Sequence, residues 1–374
     1  MDNKKRILIV ARWPVGGIRT YFRYIYSQKK FEEYNFTFVM PDDGKLREFL
    51  LEHCPKLKFD FVESSDKNLS LLKLLQQELK TRRYSLLHSH GYTAGAVSVV
   101  ALMLSPKIKH LMTAHDVFLK NQFDGLKGKL KYLGMRFSFK SMDAIHAVSN
   151  DCKDNFLEFF PSVKPEKVTT ILHGVDTEKF YSEPARDFRA ELGFTDEFLL
   201  GFFGRFMAQK GFKYIVEAMS LLVEKKPEYR SKVRVLTFGW GGFVREEFDY
   251  IASKGLSDLF VQMPHTDNMP AAIKGVDTVL MPSLWEACGL LGMEALAAGV
   301  PIIGTNCIGL REVLEGSPAT IVAPRDSEAL LSAIIDHIED ARASSFIDYS
   351  LNAKQRFALD KPATELSQLY KKMI

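Results

Sequence analysis

Residues Pro282–Thr305 read PSLWEACGLLGMEALAAGVPIIGT. Within them Glu286 and Glu294 stand eight positions apart, with Gly289 and Gly292 between. The second carboxylate lies on a helical run, MEALAAG, that stops at Gly299, and the apolar strand VPIIGT follows. Eight residues is just over two helical turns, so a loop leading into the helix lets both carboxylates address one cleft. The glycines let backbone N–H groups approach a ligand closely, and a helix N-terminus favours an anion there. A ligand carrying both hydroxyls and phosphates, such as a nucleotide sugar, suits this combination.

The rest of the chain sets the frame. At 374 residues it is too long for one ordinary core, so two domains are expected. An apolar content of 46% with 26% charged residues is that of a globular protein, not a disordered or fibrous one. The four cysteines, Cys54, Cys152, Cys288 and Cys307, are scattered without a CxxC pair. That argues for a reducing, cytoplasmic setting and against a disulfide frame or zinc site. The basic start MDNKKRILIVA has an apolar run too short for a secretion signal, and Ala94–Leu104 is too short to span a bilayer. Charge is uneven: residues 1–186 carry 30 Lys/Arg against 21 Asp/Glu (+9), residues 187–374 carry 20 against 25 (−5), and the sum is the +4 of the whole chain. A basic first half points to an anionic partner, phosphate, phospholipid surface or nucleic acid; ordinary surface variation gives the same count.

Short apolar runs alternate with amphipathic stretches such as Leu69–Thr81 and Tyr214–Glu224. RILIVA, FTFVM, SLLHSH, KHLMTAH, AIHAVS and VTTILHG read as strands in the first half; FLLGFFG, VRVLTFG, TVLMPS and VPIIGT in the second. Near-continuous apolar strands between helices imply parallel sheets covered on both faces, an α/β class with two doubly wound domains. The polar, proline-bearing DTEKFYSEPARD (Asp176–Asp187) is the expected boundary, giving domains at 1–180 and 187–359. The last helical run, near Pro362–Ile374, can pack on either; residues 360–374 are assigned to the first. No internal repeat or low-complexity tract is present.

Ligands of open parallel sheets bind beyond the carboxyl ends of the strands. Gly16 and Gly17 follow the first strand, His90 ends SLLHSH, and His115 and Asp116 close KHLMTAH. Gly204 and Arg205 follow FLLGFF, and Gly239 follows VRVLTF. In GRFMAQKG, Arg205 and Lys210 lie five residues apart between Gly204 and Gly211, and two fixed cations in a turn can hold a diphosphate as its charge grows. PVGG before the first helix can cradle phosphate or sugar, or be an ordinary tight turn; it is not a GxGxxG fingerprint. His88 and His90 share a strand face, but no HExxH, CxxC or Asp-x-Asp accompanies them, so no metal and no cofactor are expected. His115 and His90 are read as hydrogen-bonding groups on the acceptor side with Asp116, and His88 as a structural histidine. HGVD (His173–Asp176) reads mostly as a structural turn. KGKLKYLGMRFSFK (Lys127–Lys140) reads either as a domain helix with one buried and one solvated face or as a basic helix that lies on an anionic membrane. No Gly-x-Ser-x-Gly elbow, Walker A motif or nucleic-acid motif occurs.

With these residues in place, PSLWEACGLLGMEALAAGVPIIGT resembles the E-x7-E signature of retaining GT-B glycosyltransferases of family 4. The GRF…KG loop, HGVD (usually Asn-Gly-Val-Asp), the GG after the first strand and GWGG (usually Gly-x-Gly-x) follow that family's order across the chain, most sharply over residues 173–315. The resemblance implies two Rossmann-like domains facing across a cleft, with the acceptor mostly on the first and the nucleotide mostly on the second. It implies that Arg205 and Lys210 grip the donor diphosphate and that Glu294 accepts from the ribose hydroxyls. Glu286 would contact the transferred sugar, the backbone of Cys288, Gly289, Leu290 and Leu291 would meet sugar and phosphate, and His115 would match the family's cleft histidine. Departures are His173 for Asn, Trp240 with Gly241 in the GxG turn, and Cys288 for a bulkier apolar residue. The expected activity is retaining, metal-independent sugar transfer from a UDP-, GDP- or ADP-sugar to a glycan or lipid-linked acceptor in surface polysaccharide or lipopolysaccharide synthesis, at the inner face of the membrane. A GT-B epimerase or hydrolase, or a non-catalytic nucleotide-sugar-binding subunit, are the alternatives.

Overall fold

Among the described residues every strand pairing is parallel, and the strands form two separate sheets. The computed structural model describes residues 4–41, 44–104, 108–239, 241–340 and 342–374. Trp240, singled out above, lies outside the described residues. Two units result: Met1–His173 with Leu359–Ile374, and Gly174–Ala358.

The first unit contains β1 (Arg6–Ala11), β2 (Asn35–Met40), β3 (Lys58–Glu63), β4 (Leu86–His90), β5 (Lys109–Ala114), β6 (Ala144–Ala147) and β7 (Val168–Thr170), in the order β3-β2-β1-β4-β5-β6-β7. The strand period of two divides β1 between two cores. Ile7, Ile9 and Ala11 join Phe22, Phe36, Phe38 and Tyr370 on one face; Leu8 and Val10 join Leu71, Leu75 and Leu87 on the other. Both faces are covered, which is why RILIVA is apolar throughout. The helix Asp360–Met373 packs into this unit: Tyr370 is fully buried beside Phe31 and Tyr34, and Lys30 pairs with Asp360 at 2.6 Å.

The second unit contains β8 (Phe198–Phe202), β9 (Val233–Thr237), β10 (Phe260–Gln262), β11 (Thr278–Met281), β12 (Ile302–Thr305) and β13 (Thr320–Val322), in the order β10-β9-β8-β11-β12-β13. Its core gathers Leu200, Phe202, Phe212, Val235, Leu280 and Ile303. The division of the chain falls at His173/Gly174, upstream of the stretch read as a linker. Asp176–Asp187 folds with the second unit. Asp176 caps the helix Thr177–Ser182, the Thr177 hydroxyl donates to Lys354 O at 3.0 Å, and Glu178 pairs with Lys354 at 2.6 Å. Aspartate capping makes so polar a segment helical, since its carboxylate satisfies an orphan N–H.

Candidate active site

The order of the second sheet reverses between β8 and β11, and an open α/β sheet places its ligand at such a switch point, beyond the carboxyl ends of the strands. The loop after β8 ends at Gly211, which has φ +68°. A Cβ there would sit 2.0 Å from the carbonyl oxygen of Pro282, so only glycine lets this loop touch the chain leaving β11. Two hydrogen bonds seal the contact: Leu284 N to Gln209 O at 2.8 Å, and Gln209 Nε2 to Trp285 O at 2.9 Å. Lys210 Nζ is thereby held 2.7 Å from Glu286 Oε1, which also accepts from Ser283 Oγ at 2.7 Å. Glu286 is only 7% exposed. Its backbone is gripped from the other side, N to Ile308 O at 2.9 Å, where Gly309 (φ +77°) approaches so closely that a Cβ would lie 2.1 Å from Glu286 O. Arg205, on the same loop, is half-buried and has no carboxylate partner among the described residues.

The helix Leu290–Ala298 begins four residues after Glu286 and ends at Gly299 in the left-handed conformation, the stop expected from MEALAAG. No side chain caps its N-terminus and no acidic residue lies in its first turn. The Leu290 and Gly292 N–H groups turn back to Cys288 O and Gly289 O at 2.8 and 2.9 Å, and the helix dipole favours an anion at this end. Cys288 and Gly289 are buried at this end, and Leu290 and Leu291 are half-buried. Glu294 follows on the same helix. Burial pushes its carboxyl up to about 7, and the Lys210 cation opposes that shift. Lys210 thus acts on both glutamates, by contact on Glu286 and through space on Glu294. Gly204 precedes Arg205, and the buried Gly239 beyond β9 accepts from Gln262 Nε2 at 2.8 Å through its carbonyl. A lysine cation, an open helix end and two carboxylates at one switch point can hold a phosphate ester together with hydroxylated groups.

The first sheet reverses between β1 and β4. Gly16 and Gly17 lie exposed at the start of the helix Gly17–Tyr26, after β1. His90 is 1% exposed, with Nδ1 3.0 Å from His115 Nε2 and Nε2 3.0 Å from Tyr26 Oη. Both ring nitrogens of His90 are thus engaged, and one of them orients His115. His115 is half-buried. Asp116 is exposed; its Oδ1 accepts from Val117 N at 2.9 Å and its carbonyl from Tyr92 Oη at 2.7 Å. His88 is internal, joined to Tyr370 Oη at 2.6 Å and Thr113 Oγ1 at 2.7 Å, and Thr113 also meets His146 Nδ1 at 3.0 Å. Burial holds His88, His90 and His115 well below the ordinary histidine range, with neighbouring histidines adding to the effect, and His110 and His146 at about 4. The cluster is neutral near pH 7. Among the described residues no group of three or more His, Cys, Asp or Glu side chains is arranged to hold a metal ion.

Sequence reading overlooked Ser283, Gln209 and Gly309. Ser283 carries a usable signal, a hydroxyl at the end of a strand three residues before a glutamate. The other two become legible only once the loops after β8, β11 and β12 are brought together.

Two family models match the chain: Glycosyl transferases group 1 over residues 197–340 and Glycosyltransferase Family 4 over residues 15–179. The lipopolysaccharide core biosynthesis mannosyltransferase LpsB of Rhizobium meliloti is 27% identical over 216 residues, 55% of this chain and 61% of that protein. The UDP-Gal:alpha-D-GlcNAc-diphosphoundecaprenol alpha-1,3-galactosyltransferase of Escherichia coli is 23% identical over 363 residues, 92% of this chain and 90% of that protein. In fold, the chain is similar to Anabaena Alr3699/HepE, solved in complex with UDP-glucose, with a TM-score of 0.84 and 19% identity over 98% of this chain and 99% of that one. The parallel sheets, the pairing of cation and carboxylate at the second switch point and the two matched models lead to one assignment: the chain belongs to the GT-B glycosyltransferases of group 1.

Proposed function

We propose that this glycosyltransferase moves a sugar, with retention at C1 and without a metal, from a nucleoside diphosphate sugar to a hydroxyl of a lipid-linked glycan in surface polysaccharide or lipopolysaccharide synthesis. The observation that carries the reading is the placement of Lys210, Glu286 and Glu294 around the uncapped helix end at Leu290. Lys210 and Arg205 meet the diphosphate, which competes with Glu286 for the lysine. Glu294 accepts from the ribose hydroxyls, and Glu286 addresses the transferred sugar. In the transfer the C1–O bond to the diphosphate breaks as a bond to the acceptor oxygen forms. The acceptor proton passes to an oxygen of the leaving diphosphate. Negative charge grows on that group, and fixed cations that stabilise it contribute several kcal/mol, on the order of the 3–4 kcal/mol seen for single preorganised donors. The charge supplied by Arg205 and Lys210 is the reason no metal is required in this reading. Within the first unit, His115 is oriented by His90, its Nε2 3.0 Å from His90 Nδ1.

A lipid-linked acceptor is supported by the similarity to the Escherichia coli galactosyltransferase, whose name specifies a diphosphoundecaprenol-linked substrate; the proposed setting is the cytoplasmic face of the membrane. Among the described residues no helix is long and apolar enough to cross a membrane. The test is nucleotide release from UDP-, GDP- and ADP-sugars in chelator, with and without diphospholipid-linked acceptors, and NMR of the product's anomeric configuration. Release that depends on acceptor, persists in chelator and yields retained configuration supports the reading. Release without acceptor would assign the chain to hydrolysis, and an inverted product would reject retention.

A further inference from the structure

Taking the glycolipid acceptor above as its setting, we infer that the helix Gly125–Ser141 is an interfacial element, by which the first unit lies on an anionic lipid surface. The helix carries two apolar faces. Gly128, Ser138 and Phe139 are buried, and Tyr132 and Met135 are half-buried, on the side that packs into the unit. On the other side Leu126, Leu130, Leu133 and Phe137 are 76%, 62%, 55% and 56% exposed. Their spacing of four, three and four residues keeps them within roughly 60° of one another around the helix, nearly opposite the buried set. Single exposed leucines are ordinary; a continuous stripe along a 17-residue helix is not.

The charges identify what covers the stripe. Between Gly125 and Ser141 there are five cations, Lys127, Lys129, Lys131, Arg136 and Lys140, and no acidic residue. The helical period puts Lys129, Arg136 and Lys140 along one flank of the stripe and Lys127 and Lys131 along the other. None of the five pairs with a carboxylate among the described residues; Arg136 donates instead to Ser162 Oγ at 3.0 Å, and Lys131 lies over the ring of Phe123. Cations on both flanks of an apolar ridge match the boundary between anionic headgroups and acyl chains, where the ammonium groups reach the phosphates as the leucines enter the hydrocarbon edge. The helix Tyr92–Met103 packs beside it and also exposes Val100 and Met103, followed by exposed Leu104. The interfacial helix also begins ten residues beyond His115, in the chain leaving the carboxyl end of β5.

Flotation of the full chain with vesicles tests this, using phosphatidylcholine with phosphatidylglycerol against phosphatidylcholine alone, at low and high salt. Binding is expected only to the anionic vesicles and to weaken with salt. Two variants separate the contributions: Leu130→Ser/Phe137→Ser removes the ridge, and Lys127→Gln/Lys129→Gln/Lys131→Gln removes three of the five flanking cations, drawn from both flanks. Each is expected to lower partitioning roughly tenfold or more. All five positions are solvent-facing, and circular dichroism verifies that the variants fold; if one does not, the wild type and the other variant decide. Transfer to a water-soluble acceptor should be unchanged in both. No acceptor or donor is present in flotation, so binding by a chain with no transferase activity would leave this inference standing and reject the proposed reaction. No wild-type binding, equal binding to neutral vesicles, or variants that bind like wild type would overturn it. So would a wild-type dimer, seen by sedimentation, that the ridge variant dissociates without any vesicle binding.

Discussion

Replacing Lys210 by alanine separates what this residue does for the fold from what it does for the reaction. The lysine holds Glu286 at 2.7 Å, and Glu286 is almost fully enclosed, so the substitution strands a carboxylate that keeps only Ser283 Oγ as a side-chain donor. Breaking a fully buried pair costs about 3–5 kcal/mol, whereas exposed pairs contribute about 0–1. The Lys210 side chain is 24% exposed and that of Glu286 9%, which places the cost between these limits, at about 1–2 kcal/mol. In a unit spanning Gly174–Ala358 that lowers the melting temperature by about 2–8 °C. The reaction loses more: withdrawing one preorganised charge from the leaving group lowers kcat/KM by about 10²–10³. The two effects come apart in Lys210→Ala/Glu286→Gln. Neutralising the stranded carboxylate should recover most of the melting temperature, and turnover should stay low. Calorimetry with coupled nucleotide-release kinetics on the wild type and these two variants measures both. A well-folded Lys210→Ala with near-normal kcat/KM would remove the lysine from the chemistry. A double variant no more stable than Lys210→Ala would show that the ion pair is not what the fold loses.

Other consequences are open to direct measurement. Burial pushes the Glu294 carboxyl up to about 7, and its ionised form is the stronger acceptor for the ribose hydroxyls of the proposed complex, so nucleotide affinity should rise as pH climbs through 7 and then level off; Glu294→Gln should abolish that pH dependence in calorimetric titrations. The buried histidines should make the first unit acid-sensitive. Unfolded histidine takes up a proton near pH 6.5, while His110 and His146 in the fold do so only near 4, and His88, His90 and His115 are shifted the same way. The unfolded chain therefore binds more protons between these values, and stability should fall as pH drops from 6.5 toward 4; a flat melting temperature across that window would contradict the assigned burial. Gly211→Ala should reduce kcat/KM by tenfold or more, because a Cβ 2.0 Å from Pro282 O drives apart the loops that carry Lys210 and Glu286. Wild-type kinetics in that variant would show that the loop contact is not needed.

The parts of the fold legible in the sequence are those with two covered faces. RILIVA, SLLHSH and TVLMPS stand out because both faces of β1, β4 and β11 meet helices. The strands that went unread are β3, β10 and β13, and each is an edge of its sheet. An edge strand is partly exposed, so Lys58–Glu63 alternates polar and apolar residues, while β10 and β13 are only three residues long. The short helix Thr177–Ser182 was hidden by a composition that also suits a linker. At the candidate site, residue types and order were readable, because glycines and charged residues at strand ends carry a chemical meaning of their own. The pairing of Lys210 with Glu286, 76 positions apart, was not, since it depends on where Gly211 lets one loop touch another. The helix Gly125–Ser141 shows a related limit. Its mixture of leucines and lysines suits a half-buried domain helix equally well, and only the exposure of Leu126, Leu130, Leu133 and Phe137 reveals an apolar side turned to solvent.

The proposed reaction requires the second unit to bind a nucleoside diphosphate sugar between the Arg205–Lys210 loop and the helix that begins at Leu290. A crystal structure with such a donor tests it most directly. The expected density has the diphosphate at the N-terminus of that helix within hydrogen-bond reach of Lys210 Nζ, the ribose on Glu294 and the sugar on Glu286. A donor bound elsewhere on the protein, with Lys210 and both glutamates out of its reach, would contradict the account.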